Sequence, residues 1–364
     1  MTRISPPVPD PTPAQRGIAL ITVLLLLVFV LTIVGSLFYR HQIHLQKATR
    51  SILGEQALLL LLGAESWVQA RLLEDARHSS IDSLDEGWAR RLPPLPVEGG
   101  VLAGCVIDLN RRINLNNLAW YTNKSWADEL ATDYRQMPRT TRRTLVRDLL
   151  ANLGLDAGDH RIAALVDWVD SDAWLVSPES AEDNEYLLLD PPYRPANHPL
   201  VDTAEIALVQ GFSGADALAL EPYAATVAED MPVNVNTAPL PVLVALSPLV
   251  SVEDARRLAA RRPFPSLADF YKALSSIAGE PAQTLYGYLP AELVSVTSQY
   301  FLLQADFRLD ELHLAYASVM YRQGSHSIQV LSRTVTPIPP MDNPGNTDGP
   351  RPDPCQFQEV TDQP

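Results

Sequence analysis

Between Gly17 and Tyr39 the chain carries no charged residue, and the run is bounded by Arg16 on one side and Arg40 on the other. About 20 uncharged, mostly apolar residues suffice to cross a bilayer as one helix. The rest of the chain is therefore expected to fold while tethered at its N-terminal side. The apolar core starts abruptly at Ile18, directly after Arg16 and Gly17. A secretory signal places its small-residue cleavage site after the apolar core; here the small residue, Gly17, precedes it. A cut at that point removes only residues 1–17 and leaves the apolar helix as the new N-terminus. An ordinary signal anchor, or a membrane helix that is never cut, is the competing reading of the same residues.

Residues 15–23, Gln-Arg-Gly-Ile-Ala-Leu-Ile-Thr-Val, resemble a type IV prepilin leader, as found in type IV pilins and type II secretion pseudopilins. The resemblance implies cleavage by a prepilin peptidase between Gly17 and Ile18, then N-methylation of Ile18. Most of that family has glutamate at the fifth mature position, which here is Thr22. Among pseudopilins the missing glutamate is typical of the K-type minor subunit of type II secretion.

Apolar patterning continues past the membrane run. Leu45, Ile52, Leu53, residues 58–62, Trp67, Val68, Leu72 and Leu73 are spaced for a helix with one apolar face. One long helix is predicted from Ile18 to about Glu74, with Gly54 and Gly63 as candidate kinks. The prolines at 6, 7, 9, 11 and 13 exclude a helix in the leader. Pro93, Pro94, Pro96, Gly99 and Gly100 read as a loop, and residues 101–118 as strand-like. Strand signals return at 300–309, 312–322 and 327–335, with a turn at Gln323-Gly324-Ser325, as an antiparallel meander. The stretch between is helical. Leu145, Leu149, Leu150 and Leu153 share a face that Gly154 can end, Ile162, Leu165, Val166 and Val169 mark another helix, and cap patterns stand at residues 202–205, 251–254 and 266–269. The proline-rich stretch after residue 337 is expected to be disordered.

The predicted class is α+β. A pilin-like long N-terminal helix packs on a small antiparallel sheet, and the fold carries a large all-α insertion. The expected divisions are a leader at 1–17, a membrane span at 18–39, an α+β domain from 40–118 and 291–336, a helical insertion at 119–290, and a tail at 337–364. Arg112-Ile113-Asn114-Leu115-Asn116-Asn117-Leu118, Val166-Asp167-Trp168-Val169-Asp170, Asp190-Pro191-Pro192-Tyr193-Arg194 and Val233-Asn234-Val235-Asn236-Thr237-Ala238 resemble the K-type minor pseudopilin, across about residues 14–335. The resemblance implies a subunit at the tip of a periplasmic pseudopilus that helps initiate its assembly and the export of folded proteins. It also implies an inner-membrane anchor with the body in the periplasm. The implied partners are the I-, J- and H-type minor pseudopilins, the major pseudopilin, the prepilin peptidase and the inner-membrane assembly platform. The alternative is a membrane-anchored periplasmic enzyme or DNA-uptake module on a pilin-like anchor.

Eight carboxylates fall between Asp167 and Asp190, with no Lys or Arg among them. Carboxylates held close repel unless a cation or many hydrogen bonds answer them. Oxygen donors without His or Cys suit calcium rather than zinc, although the spacing is not that of an EF-hand. A solvated acidic loop is the plain alternative. The family resemblance implies structural calcium in this helical region, with Asp170, Asp172, Glu182, Asp183 and Asp190 as the expected ligands. Ala181-Glu182-Asp183 matches a family Gly-Ala-Glu-Asp motif in which Ser180 replaces the glycine.

Nothing in the sequence points to catalysis: Walker A, HExxH, nucleophile-elbow and dinucleotide patterns are all missing. Residues 233–270 resemble a helix-hairpin-helix module with Arg256, Arg257, Arg261 and Arg262 as a basic patch. The hairpin at Ser247-Pro248-Leu249-Val250 lacks the glycine that would let backbone N–H groups reach a phosphate. A net charge of −15 also opposes nucleic-acid binding. Cys105 and Cys355, the only two cysteines, form no metal pattern and leave a single disulfide open.

Overall fold

The computed structural model describes residues 14–97, 100–121, 123–131, 140–227, 230–309 and 312–337. The proline-rich part of the leader and the C-terminal tail, including Cys355, lie outside them. The chain forms two compact units, residues 1–60 and 61–364, each described by itself.

Helix α1 spans Ala14–His78 without a break at Gly54 or Gly63. It begins one residue after Pro13, the last residue that would clash with a helix. The final four leader residues are therefore helical, against the expectation of a non-helical leader and a start at Ile18. In the first unit the apolar residues of the uncharged run are exposed: Leu25 is 68%, Phe29 60% and Phe38 72% accessible. Its hydroxyls bond within the helix, Thr22 to the Ala19 carbonyl at 2.9 Å, Thr32 to Val28 at 2.8 Å and Ser36 to Ile33 at 2.8 Å. Polar groups in hydrocarbon need such internal partners. The helix is thus long and apolar enough to cross a membrane.

In the second unit the strands are β1 (Leu92–Val97), β2 (Gly100–Asp108), β3 (Ile113–Asn114), β4 (Ala224–Ala225), β5 (Val233–Asn234), β6 (Val294–Ser295), β7 (Tyr300–Leu309), β8 (Leu312–Gln323) and β9 (Ser327–Pro337). One antiparallel sheet has the order β1-β2-β7-β8-β9. β1 corrects the expected loop: its prolines sit on an edge strand, where a missing N–H costs no ladder bond on the open side. The strand expected to run to residue 118 ends at Asp108, where the Asp108 side chain accepts the Asn110 N–H and starts a 3-10 turn. The meander β7-β8-β9 forms as predicted.

Alternate residues of β8 point inward, from Leu314 through Tyr316, Ser318, Met320 and Arg322, the period-2 pattern of a half-buried strand. Glu65 of α1 is 2% exposed and meets this face. It accepts from Tyr316 at 2.7 Å, Ser318 at 2.7 Å and both arms of Arg333 at 2.9 and 2.8 Å. Burial works to raise the Glu65 carboxyl, but these donors together hold it below the ordinary glutamate range. Cys105 on β2 is fully buried and disulfide-bonded.

Among the described residues, nine helices follow α1: α2 (Asn123–Ala131), α3 (Arg142–Asn152), α4 (Asp159–Val169), α5 (Asp183–Tyr186), α6 (Gly214–Leu220), α7 (Leu240–Ala245), α8 (Val252–Ala259), α9 (Leu267–Ala278) and α10 (Ala282–Tyr288). Their starts follow local chemistry. Ser251 and Ser266 accept from the N–H groups of Asp254 and Asp269, as their spacing predicts. Gly154 stops α3's turn with φ +71°, a conformation that disfavours any side chain. The capping box at Asp202 also forms, but it opens a short 3-10 helix, Thr203–Leu208, rather than a full α-helix. One apolar core, with Leu149, Leu165, Val235, Leu243 and Tyr271 all buried, unites these helices.

Asparagines tie the irregular stretches to this core. Asn116 donates to the Leu200 and Val227 carbonyls and accepts from the Leu200 N–H at 2.8 Å. Asn117 pairs in the same two-way manner with Met231, and Asn236 with Phe264. A side-chain amide offers both donor and acceptor, so it can satisfy a backbone segment that belongs to no sheet. The two asparagine motifs noted in the sequence are thus structural staples.

Candidate functional site

The acidic loop is built between α4 and α5. α4 is buried on every side, with residues 161–169 all buried, so Asp167 is carried into the interior with no exposed surface at all. One of its oxygens accepts the Val176 N–H at 2.9 Å; the other, Oδ2, has no partner among the described residues. Asp170 caps the end of α4, and its side chain accepts the Asp172 N–H at 3.3 Å. Asp172 in turn accepts the Trp174 N–H at 2.8 Å, while its carbonyl accepts from Asn197 at 2.8 Å. Glu182 stands just before α5, 4% exposed, and neither carboxylate oxygen has a hydrogen-bond partner among the described residues.

These four acids act on one another. Burial first, then the charges of Asp167, Asp170, Asp183 and Asp172, push the Glu182 carboxyl up to about 8. Burial and then Asp172 and Asp167 push Asp170 to about 7. Burial, with Asp172 adding to it, raises Asp167 to about 6. Desolvated carboxylates that raise one another in this way are disfavoured in their charged form.

Of the expected ligands, Asp170, Asp172 and Glu182 feel one another's charge, but their oxygens do not form a trio within 4.8 Å among the described residues. Asp183 is on the rim, acting on Glu182 while facing Arg194 at 3.4 Å. Asp190 is exposed, and its charge is not among the leading ones acting on the cluster. Asp167, in the acidic run but outside the expected ligand set, acts on both Asp170 and Glu182 through its charge. Its signal was present: within residues 162–169 of α4 it is the one carboxylate among apolar residues. Ser180, in the family's glycine position, is not among the residues of positive φ; the backbone there suits a side chain, and its hydroxyl bonds the Ser177 carbonyl at 2.7 Å. Behind the loop, Trp168, Tyr186 and Tyr193 stack edge to face or tilted at 5.4 to 6.4 Å. Tyr193 is fixed by its hydroxyl on the Leu208 carbonyl at 2.7 Å.

A second acidic group was not anticipated. Oxygens of Asp75, Asp82 and Glu86 lie within 4.8 Å of one another, the one trio so close among the described residues. Most of its oxygens are taken. Asp82 gives both to Arg322 at 2.6 Å, and Glu86 accepts from Ser79, the Ser83 N–H and Trp88. Burial, then Glu86 and Asp82, push Asp75 up to about 7.

The arginines near the helix hairpin are engaged within the protein. Arg256 and Arg257 face Glu253 and Asp254 at 3.7 Å, Arg261 donates to Ser276 at 2.6 Å, and Arg262 to the Ala238 carbonyl at 2.6 Å. Gly17, Ile18 and Thr22 all lie within α1.

Comparison with known proteins agrees with this architecture. The family described as type II secretion system (T2SS), protein K matches residues 111–229 and again 233–288. The type II secretion system protein K of Pseudomonas aeruginosa is 31% identical over 89% of this chain and 95% of its own length. The Aeromonas hydrophila protein K is 31% identical over 88% and 96%. Among solved structures, the crystal structure of the GspK-GspI-GspJ complex from the enterotoxigenic Escherichia coli type 2 secretion system superposes with a TM-score of 0.66 at 25% identity, covering 79% of this chain and 99% of that one. Identity sustained along nearly the whole length of both chains, on a shared fold, shows that this chain belongs to the type II secretion system protein K family.

Proposed function

We propose that this chain is the minor pseudopilin that caps the periplasmic pseudopilus, with a structural rather than a catalytic role. The full-length likeness to protein K carries this reading, since the solved relative was crystallised with GspI and GspJ. The natural partners are then the I- and J-type minor pseudopilins of the same system, with the H-type and the major pseudopilin below. α1 anchors the chain in the inner membrane, delivered by the assembly platform. Thr22 supports the tip position. Its hydroxyl is satisfied by its own helix, so it presents no charge that a neighbour's N-terminal amine must answer, whereas an unpaired carboxylate in a bilayer is costly. Crosslinking of the chain within assembled pseudopili should find it once, at the tip, joined to the I- and J-type subunits. Repeated contacts along the shaft would overturn this placement.

Maturation follows from the same reading. A prepilin peptidase would cut between Gly17 and Ile18, with methylation of the new Ile18 amine. Mass spectrometry of the membrane-extracted chain should show a mature start at Ile18, and Gly17→Val should leave most of the protein uncut. An intact leader in the native protein would refute it.

The acidic loop is assigned a structural calcium. The donor set fits: buried, orphaned oxygens on Asp167 and Glu182, joined by Asp170 and Asp172, all hard oxygen ligands. Calcium supplies the positive charge that lets these acids stay ionised together. Asp167 and Glu182 hold the end of α4 to the start of α5, and Asp170 and Asp172 shape the loop between.

A further inference from the structure

Arg111 ends the 3-10 turn after β2, and Arg112 caps it. Both side chains are sunk in the protein, Arg111 at 3% and Arg112 at 8% exposure. Among the described residues, the three other buried arginines each meet a carboxylate: Arg143 faces Glu129 and Asp159, Arg161 faces Asp216, and Arg322 faces Asp82. Arg111 and Arg112 do not. Neither guanidinium has a hydrogen-bond or ion-pair partner among the described residues, and both Nε atoms are sealed from solvent.

Among the described residues, the acids in reach are committed elsewhere. Asp108 gives one oxygen to the Asn110 N–H at 2.7 Å and the other to Thr237, Ser298 and Asn234. Glu221 acts on Arg112 through its charge but forms no pair with it. Burial, and next the charge of Arg111, hold Arg112 below the usual arginine range, at about 10. The two Nε–H donors are buried without an acceptor among the described residues, and buried donors without acceptors are costly.

We infer that Arg111 and Arg112 bind a small oxyanion of the phosphate or sulfate class, which acts as a structural ligand where β2 gives way to the helical segment. The planar fork of arginine matches an oxyanion through paired hydrogen bonds. So little of either side chain is exposed that a diffusible ion fits better than a group borne on another protein. Water alone is the rival occupant.

Thermal unfolding of the detergent-purified full chain tests this, without calcium, in sodium chloride against sodium phosphate and sodium sulfate at equal ionic strength. A ligand that binds only the folded state raises the midpoint along a saturating curve, here by about 3 °C at saturation. Arg112→Gln should lose the saturating rise, while Arg257→Gln on the surface keeps it. Should Arg112→Gln fail to fold, Arg111→Lys keeps the charge but not the fork, and should need at least several-fold more anion for half the effect. No rise beyond chloride in the native chain would leave water as the occupant and overturn the inference. So would a linear rise with sulfate shared by native chain and Arg112→Gln, the mark of general salt exclusion from protein surface.

Discussion

Arg322→Met should destabilise the folded chain by about 3–5 kcal/mol, the range for removing one partner of a buried ion pair. Arg322 is 5% exposed, and its guanidinium joins four separate pieces of chain. It donates to both oxygens of Asp82 at 2.6 Å, to the Ser298 carbonyl at 2.9 Å and to the Leu72 carbonyl at 3.2 Å. Its Cζ also lies 4.7 Å from the centre of the Phe301 ring. Methionine fills much of the same volume, so the loss reports mainly the stranded charge. Asp82, itself 2% exposed, would keep the Ser298 N–H at 2.7 Å and lose the charge that pays its desolvation. Combining Arg322→Met with Asp82→Asn should recover part of the loss, because the stranded charge is then removed. Urea unfolding of the detergent-purified chain measures both. A single-variant loss below about 1 kcal/mol would mean that the pair is not the tie between the end of α1 and the sheet.

Calcium should stabilise the chain, by about 3–4 kcal/mol at 100 to 1,000 times its dissociation constant, and chelation should reverse this. The metal-free chain gives an opposite pH signature. The carboxyls of Asp167, Asp170 and Glu182 stand at about 6, 7 and 8 in the folded state, against roughly 4 when unfolded. The folded chain therefore holds more protons between these limits. Its advantage is fully present below about pH 4 and is lost as pH rises through about 6 to 8. With chelator, stability should fall from pH 5 to pH 8; with calcium the fall should be much smaller, because the ion replaces those protons. Glu182→Gln should raise the stability of the metal-free chain while abolishing the calcium response. Melting curves that coincide with calcium and with chelator at pH 8 would sink the calcium assignment.

Local chemistry was readable where a residue acts on its own neighbours. The uncharged run from Gly17, the capping boxes at Asp202 and Ser251, the turn at Gly324 and the period-2 pattern of β8 all depend on contacts a few residues apart. The acidic loop was visible for the same reason, as eight carboxylates without a basic residue among them. Its membership was not. Asp190 sits in the run but stays exposed, whereas Asp167 lies on a helix that the core surrounds, and burial decides which carboxylates feel one another.

β1 shows how tertiary context overrides a local signal. Three prolines and two glycines in residues 93–100 read as a loop, yet Leu95 pairs with Leu102 and Val97 with Gly100 at a sheet edge. Proline's missing donor matters only on a side that has a neighbour. The asparagines of residues 114–117 and 234–236 announced a motif, but not its purpose, because their long-range partners lie 28 to 152 residues away. The sequence alone determined the membrane-competent helix, the helix boundaries set by caps, the meander and the acidic charge of the loop, since each follows from spacing along one chain. Only the tertiary structure decided which charges are paired. Arg322 finds Asp82 at a separation of 240 residues and Arg333 finds Glu65 at 268, while Arg111 and Arg112 form no ion pair among the described residues. Pairing energies depend on distance and burial in space, and neither is encoded by neighbours in sequence.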